Sequence, residues 1–196
     1  MFGISTIDGR YKNYMENLKN YFSEFAFIRY RIKIEIEYFI ELSKIIPELN
    51  INIDINLLKN IYLKFNEDDF KKIKNIEKNI NHDVKSIEYF IREKLITLGL
   101  SKKNTLFVHF GLTSQDINNN AICLSIKEFL LDEYNIYLNK LLDKLNNLCI
   151  NYRNNIMLAF THGQPAVPTT IGKELKVFFY RLSLQFDTLK KIEIYE

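Results

Sequence analysis

Apolar residues recur at helical spacing along most of this chain. Phe25, Ile28, Ile32, Ile36 and Phe39 follow one another at intervals of three and four and predict a helix over about 23–46, stopped by Pro47. Its middle, Arg31-Ile32-Lys33-Ile34-Glu35-Ile36-Glu37, also fits the two-residue alternation of a half-buried strand. The helix is preferred because Arg31 with Glu35 and Lys33 with Glu37 stand at i,i+4, and because the flanking period is longer. Three more helices are predicted near 54–63, 67–79 and 82–98. Asn66 with Asp69 gives a start signal for the second and Gly99 a stop for the third. Ile73, Ile76 and Ile80 line one face; Val84, Ile87, Ile91, Leu95 and Leu98 line the next. The run 106–110 reads as a buried helical turn or linker.

From Ser114 the pattern lengthens. Ile117, Ala121, Leu124, Leu131, Leu138, Leu142, Leu145, Cys149, Tyr152 and Ile156 keep alternating steps of three and four, with Glu128 and Asn135 as polar breaks and no Gly or Pro. Such a stretch reads as a bundle helix. A second long helix starts near Thr170 and runs through Leu175, Phe178, Phe179, Leu182 and Phe186. Two long helices joined by a structured loop cannot bury all their apolar surface on each other, so further helices are expected from additional sequence or other subunits. The expected fold is all-α: a small N-terminal helical domain, 1–111, followed by the first long helices of a central bundle, 112–196.

Composition supports long helices, since six glycines and three prolines are few for 196 residues. The 27 basic and 24 acidic side chains leave a net charge of +3, which implies no nucleic-acid footprint. Lys71, Lys72, Lys74 and Lys78 sit among Glu67, Asp68, Asp69 and Glu77 and read as a solvated helix face. Cys123 and Cys149 fall in one predicted helix, about 39 Å apart at ~1.5 Å per residue, too far to pair. No leader pattern and no run apolar enough for a bilayer is present, so the expected compartment is the cytoplasm and no membrane partner is expected.

Glycine-rich nucleotide loops, paired-cysteine metal sites and His-Glu-x-x-His are absent from the sequence. The histidines His82, His109 and His162 lie far apart, outside the usual ligand spacings, so no metal site is expected. His109, between Val108 and Phe110, reads as a core histidine. Three polar clusters precede predicted helices: Asn81-His82-Asp83, Thr113-Ser114-Gln115-Asp116, and 161–170. Helix N-termini offer free N–H groups and partial positive charge, which favour carboxylates and phosphates. Simple capping explains each cluster taken alone, and Thr113 with Asp116 has the spacing of a capping-box variant. The segment 161–170 is the least typical, holding His162, Pro165 and Pro168; the prolines restrict the backbone around Gln164.

Four segments resemble the adenylosuccinate lyase family of the fumarase and aspartase superfamily, in its bacterial-type branch. They are Ser5-Thr6-Ile7-Asp8-Gly9-Arg10-Tyr11, Asn81-His82-Asp83-Val84-Lys85-Ser86-Ile87-Glu88-Tyr89, the stretch from His109 through Thr113-Ser114-Gln115-Asp116 to Asn119, and the stretch from Thr161 through His162 to Glu174. The resemblance implies elimination of fumarate from adenylosuccinate and from the succinyl-carboxamide ribotide, with no metal or organic cofactor. Carried over residue by residue, it makes His162 the general acid, a role suited to imidazole, which ordinarily titrates near neutral pH. Thr113 and Ser114 match groups that hold the succinyl carboxylates. Asn81, His82 and Asp83 match substrate contacts, with His82 able to orient or charge His162. Arg10 and Tyr11 match the nucleotide side, Arg10 facing the phosphate. Gln115 departs from the acidic residue usual in that branch. The resemblance further implies a homotetramer with active sites shared between subunits, a serine base outside these 196 residues, and no turnover by the 196 residues alone.

Overall fold

The computed structural model describes residues 3, 5, 8–49 and 51–192; Thr6 and Ile7 of the first matching segment lie outside them. The described chain is predominantly helical and forms two compact units, divided between Phe129 and Leu130. Their division at Phe129 differs from the expected segments 1–111 and 112–196. The reason is packing: the helix that begins at Ser114 lies along the long helix of the first unit.

In the first unit, a 3-10 turn, Lys12–Tyr14, and a short α1, Lys19–Phe22, lead into α2, Glu24–Ile45. Ser23 starts α2: its hydroxyl accepts the Ala26 N–H at 3.1 Å and donates to the Lys19 carbonyl at 2.6 Å. α3, Ile55–Leu63, α4, Glu67–Ile80, and α5, Asp83–Thr97, follow. Asn66 caps α4 through the N–H groups of Asp68 and Asp69. Gly99, with φ +97°, ends α5, and the Leu100 N–H reaches back to the Leu95 carbonyl at 3.0 Å in a Schellman closure. After α6, Lys102–Thr105, the segment 106–110 is a turn of which only Val108 is fully buried; Leu106 and Phe110 are exposed. α7, Ser114–Phe129, completes the unit.

The main core gathers Ile32, Ile36 and Phe39 of α2, Leu58 of α3, Ile73 of α4, and Ile87, Phe90 and Ile91 of α5. Each such side chain contributes about 1.5–3 kcal/mol on burial. A second cluster seats Ala121 and Leu124 of α7 on Ala26 and Tyr30 of α2. The charges expected to pair within α2 instead pair across the unit. Lys33 meets Glu128 at 2.9 Å, and Glu37 meets Lys59 at 3.1 Å and the Tyr62 hydroxyl at 2.6 Å. The lysines of α4 are matched by acids, Lys72 by Glu93 and Lys74 by Glu24 and Glu77.

The second unit opens with a π-helical stretch, Leu130–Tyr134, and α8, Asn135–Asn151. The long apolar repeat from Ser114 is thus interrupted by a wider turn, and Leu131 within it is exposed. α8 also stops short of the expected Ile156, which sits in a strand. Two small antiparallel pairs follow: β1, Ile156–Met157, with β4, Thr169–Thr170, and β2, Phe160–Thr161, with β3, Gln164–Pro165. Thr170 then caps α9, Ile171–Lys190, by accepting the Lys173 N–H. α8 and α9 pack through Leu138, Leu142 and Phe186. No described helix is long and apolar enough to cross a membrane.

Candidate active site

Asn81 closes α4 in the left-handed conformation, φ 55°, so the chain reverses at once into α5. His82 becomes the N-cap of α5, its Nδ1 accepting the Lys85 N–H at 3.1 Å. A neutral His82 therefore carries its proton on Nε2, and its half-exposed ring can donate outward. Asp83, the first residue of α5, holds the Arg31 guanidinium through Oδ2 at 2.8 Å. Burial pushes the Asp83 carboxyl up, but Arg31 and the Val84 N–H outweigh this and hold it below the usual aspartate value.

Arg31 is itself buried on α2. Its Nε donates to Asn118 Oδ1 at 2.9 Å, and its Cζ lies 4.0 Å from the Phe27 ring centre. One guanidinium thus joins the start of α5 to the first turns of α7, bringing two of the expected clusters together. One turn further along α2, Glu35 is fully buried and meets His109 Nδ1 at 2.5 Å. The Tyr38 hydroxyl, three residues on, donates to the Phe110 carbonyl at 2.9 Å. These contacts hold the turn 109–111, where His109, φ 64°, and Gly111, φ 75°, are left-handed, directly before Thr113.

Thr113 and Ser114 sit at the start of α7 as expected. Both Thr113 donors, the N–H at 2.7 Å and the hydroxyl at 2.9 Å, go to Asp116 Oδ2. These bonds, the backbone one first, hold Asp116 below its usual range. Ser114 is half-buried beside them. Gln115 donates to Asn119 one turn on, at 2.5 Å. Arg10 and Tyr11 precede the 3-10 turn, the Arg10 Cζ 5.7 Å from the exposed Tyr11 ring.

His162 belongs to the second unit, at the tip of the β2–β3 hairpin. Thr161 pairs with Gln164, leaving His162, φ 52°, and Gly163, φ 75°, as a two-residue loop with the positive angles of a type I′ turn. The tip is exposed. Its base is anchored by the Ala166 N–H to the Ala159 carbonyl at 2.8 Å, and by the β1–β4 pair that leads into α9. Gly172, in the first turn of α9, is essential to that anchor. A Cβ there would lie 2.4 Å from the Cys149 carbonyl oxygen and 2.7 Å from the Arg153 backbone.

Sequence reasoning missed Arg31, Glu35, Tyr38 and Asn118 as supports of the site. The available signal was two charges beside the buried column of α2, where solvent-facing pairs are not expected. Among the described residues, no group of three or more His, Cys, Asp and Glu side chains could hold a metal ion.

Comparison with known proteins bears on these groups. The family described as Lyase matches residues 9–194, a span that contains every candidate from Arg10 to His162. Adenylosuccinate lyase of Dictyostelium discoideum is 50% identical over 195 residues, 96% of this chain and 42% of that protein. Adenylosuccinate lyases of Buchnera aphidicola subsp. Schizaphis graminum and of Escherichia coli K12 are 47% and 36% identical, each over 97% of this chain and 43% of theirs. The chain therefore spans about two fifths of the length of the relatives it matches. Among solved structures, fumarate lyase from Mesorhizobium sp. BNC1 shares the fold with a TM-score of 0.71 at 19% identity, over 90% of this chain and 39% of that one. The beta-carboxy-cis,cis-muconate cycloisomerase of Acinetobacter calcoaceticus sp. ADP1 does so with a TM-score of 0.69 at 19% identity, over 88% and 39%. With its sequence pattern matched from residue 9 to 194 on a shared helical fold, the chain belongs to the lyase family of the fumarase and aspartase superfamily and matches the adenylosuccinate lyases within it.

Proposed function

We propose that this chain is part of an adenylosuccinate lyase, which releases fumarate from adenylosuccinate to leave AMP and performs the same elimination on the succinyl-carboxamide ribotide. The observation that carries the reading is the 50% identity to the Dictyostelium adenylosuccinate lyase across 96% of the chain. In the elimination, a base takes the proton beside one carboxylate, the C–N bond breaks, a C=C bond forms, and an acid protonates the departing nitrogen. His162 is the acid. Its place at the tip of a two-residue turn supports this, because the imidazole projects from a short, hydrogen-bonded hairpin.

Thr113 and Ser114 receive the succinyl carboxylates at the start of α7, where helix N–H groups favour negative charge. Thr113 then turns its hydroxyl from Asp116 toward the substrate. Donors fixed around the carboxylate that gains charge lower the barrier most. Asn81, His82 and Asp83 contact the nucleotide portion, His82 through Nε2–H. Arg10 takes the phosphate, with Tyr11 beside it. The complete protein is a cytoplasmic homotetramer whose sites draw on several subunits. No metal or organic cofactor enters this scheme.

The 196 residues alone do not turn over substrate, since they span about two fifths of the relatives' length. Fumarate release by the full-length protein, assayed beside the purified 196-residue chain, tests both statements. Activity in the first and none in the second is expected. Fumarate release from argininosuccinate but not from adenylosuccinate would move the reading to another lyase of the superfamily. A full-length protein binding neither AMP nor fumarate would make it a non-catalytic assembly module.

A further inference from the structure

Arg31 occupies an unusual place for a charge. It lies on the longest described helix of the first unit, with a side chain only 9% exposed, and it touches two other helices at once. One amino group of its guanidinium meets Asp83 at 2.8 Å, its Nε meets Asn118 at 2.9 Å, and its Cζ lies 4.0 Å from the centre of the Phe27 ring. Removing a charged group from water costs several kcal/mol, and burial indeed lowers its pKa. A hydrophobic side chain would fill the space at lower cost. What a guanidinium adds is a rigid planar fork with donors on two edges, which fixes the separation of two acceptors.

Both acceptors adjoin expected substrate contacts. Asp83 follows Asn81 and His82 at the start of α5, and Asn118 stands one turn after Ser114 on α7. We propose that Arg31 is a positioning residue for the elimination: its guanidinium sets the distance between the Asn81-His82-Asp83 turn and the Thr113-Ser114 helix start, so that one substrate reaches both. The proposal rests on the lyase reading above. Arg31 does not touch substrate in this scheme. It acts by keeping the nucleotide contacts and the carboxylate contacts in register, and a displacement of about 1 Å between such groups lowers rates by up to about 100-fold.

The test uses the full-length protein and steady-state cleavage of adenylosuccinate. Arg31→Lys keeps the charge but cannot span both acceptors. It is expected to lose about 10- to 100-fold in kcat/KM while circular dichroism shows a folded protein. Asn118→Ala cuts only the α7 side of the link and is expected to lose activity in the same direction. Asn118→Asp restores an acceptor of the same shape and is expected to recover activity to within about threefold of the parent, a rescue that a purely structural role does not predict. Combining Arg31→Lys with Asn118→Ala is expected to cost no more than the worse single change, because both cut one link. Parent-like kinetics for Asn118→Ala, or for a folded Arg31→Lys, in an active parent background would overturn the role of Arg31 alone. An inactive parent would overturn the lyase reading, and the role of Arg31 with it.

Discussion

His109 Nδ1 stands 2.5 Å from Oε1 of Glu35, a carboxylate with no solvent exposure. Burial pushes Glu35 up from its ordinary 4.5, the nearby Glu88 adds to this, and His109 offsets part of it. A carboxyl with a raised folded value stabilises the fold while protonated, and that contribution is lost as pH climbs from the ordinary value through the raised one. Glu35→Gln cannot ionise. Its melting temperature relative to the parent should therefore rise between pH 4.5 and neutrality, on top of whatever offset comes from changing the hydrogen bond to His109. Thermal melts across that interval check the slope; a flat or falling difference would remove burial as the dominant influence on Glu35.

Replacing His162 with Ala in the full-length protein should lower turnover far more than it weakens substrate binding. A general acid contributes about 100- to 10,000-fold. Steady-state fumarate release gives kcat and KM separately. Near-normal kcat would take the acid role away from His162.

Gly172→Ala should loosen the second unit. The added Cβ meets backbone atoms of Cys149 and Arg153 rather than the end of a flexible side chain, so α8 and α9 must separate. A cost of about 1–3 kcal/mol is expected, as for other overpacked positions. Urea denaturation followed by circular dichroism measures it, and an unchanged midpoint would contradict the close approach of these helices.

Ser23→Ala removes a hydroxyl that is fully buried and bonded in both directions. Losing the cap should cost about 1–2 kcal/mol. The same denaturation experiment applies. A neutral result would mean that the Ala26 N–H finds another acceptor.

The helices of the first unit were legible because their apolar residues face one shared core. Ser23, Asn66 and Gly99 mark boundaries by local chemistry that the structure uses as written. The partners of charged residues were not legible. Arg31 and Glu35 stand at the spacing of a surface pair, yet each turns to a residue more than 50 positions away, because their column of α2 faces protein instead of water. The break at Leu130–Tyr134 was hidden too, since an apolar repeat of three and four passes through a π turn without any Gly or Pro to announce it.

The candidate groups were legible through composition and order more than through periodicity. Thr113 with Asp116 shows a cap pattern that a reader can find. The hairpin around His162 could not be read from spacing, because its strands are two residues long and pairing was needed to reveal the turn. Asn118 gave no signal, being one of three consecutive asparagines whose usefulness depends on Arg31 standing opposite.

Asn81, His109 and His162 share the left-handed backbone, one in each segment that carries candidate chemistry. Alanine deletes the side chain but keeps a Cβ, so the cost of about 1–2 kcal/mol that an L-residue bears in this backbone stays in place. Glycine deletes the side chain and leaves the turn at ease. A scan that pairs His162→Gly with His162→Ala would thus separate what the imidazole does from what the bend requires, and the difference between the two variants would measure the bend itself.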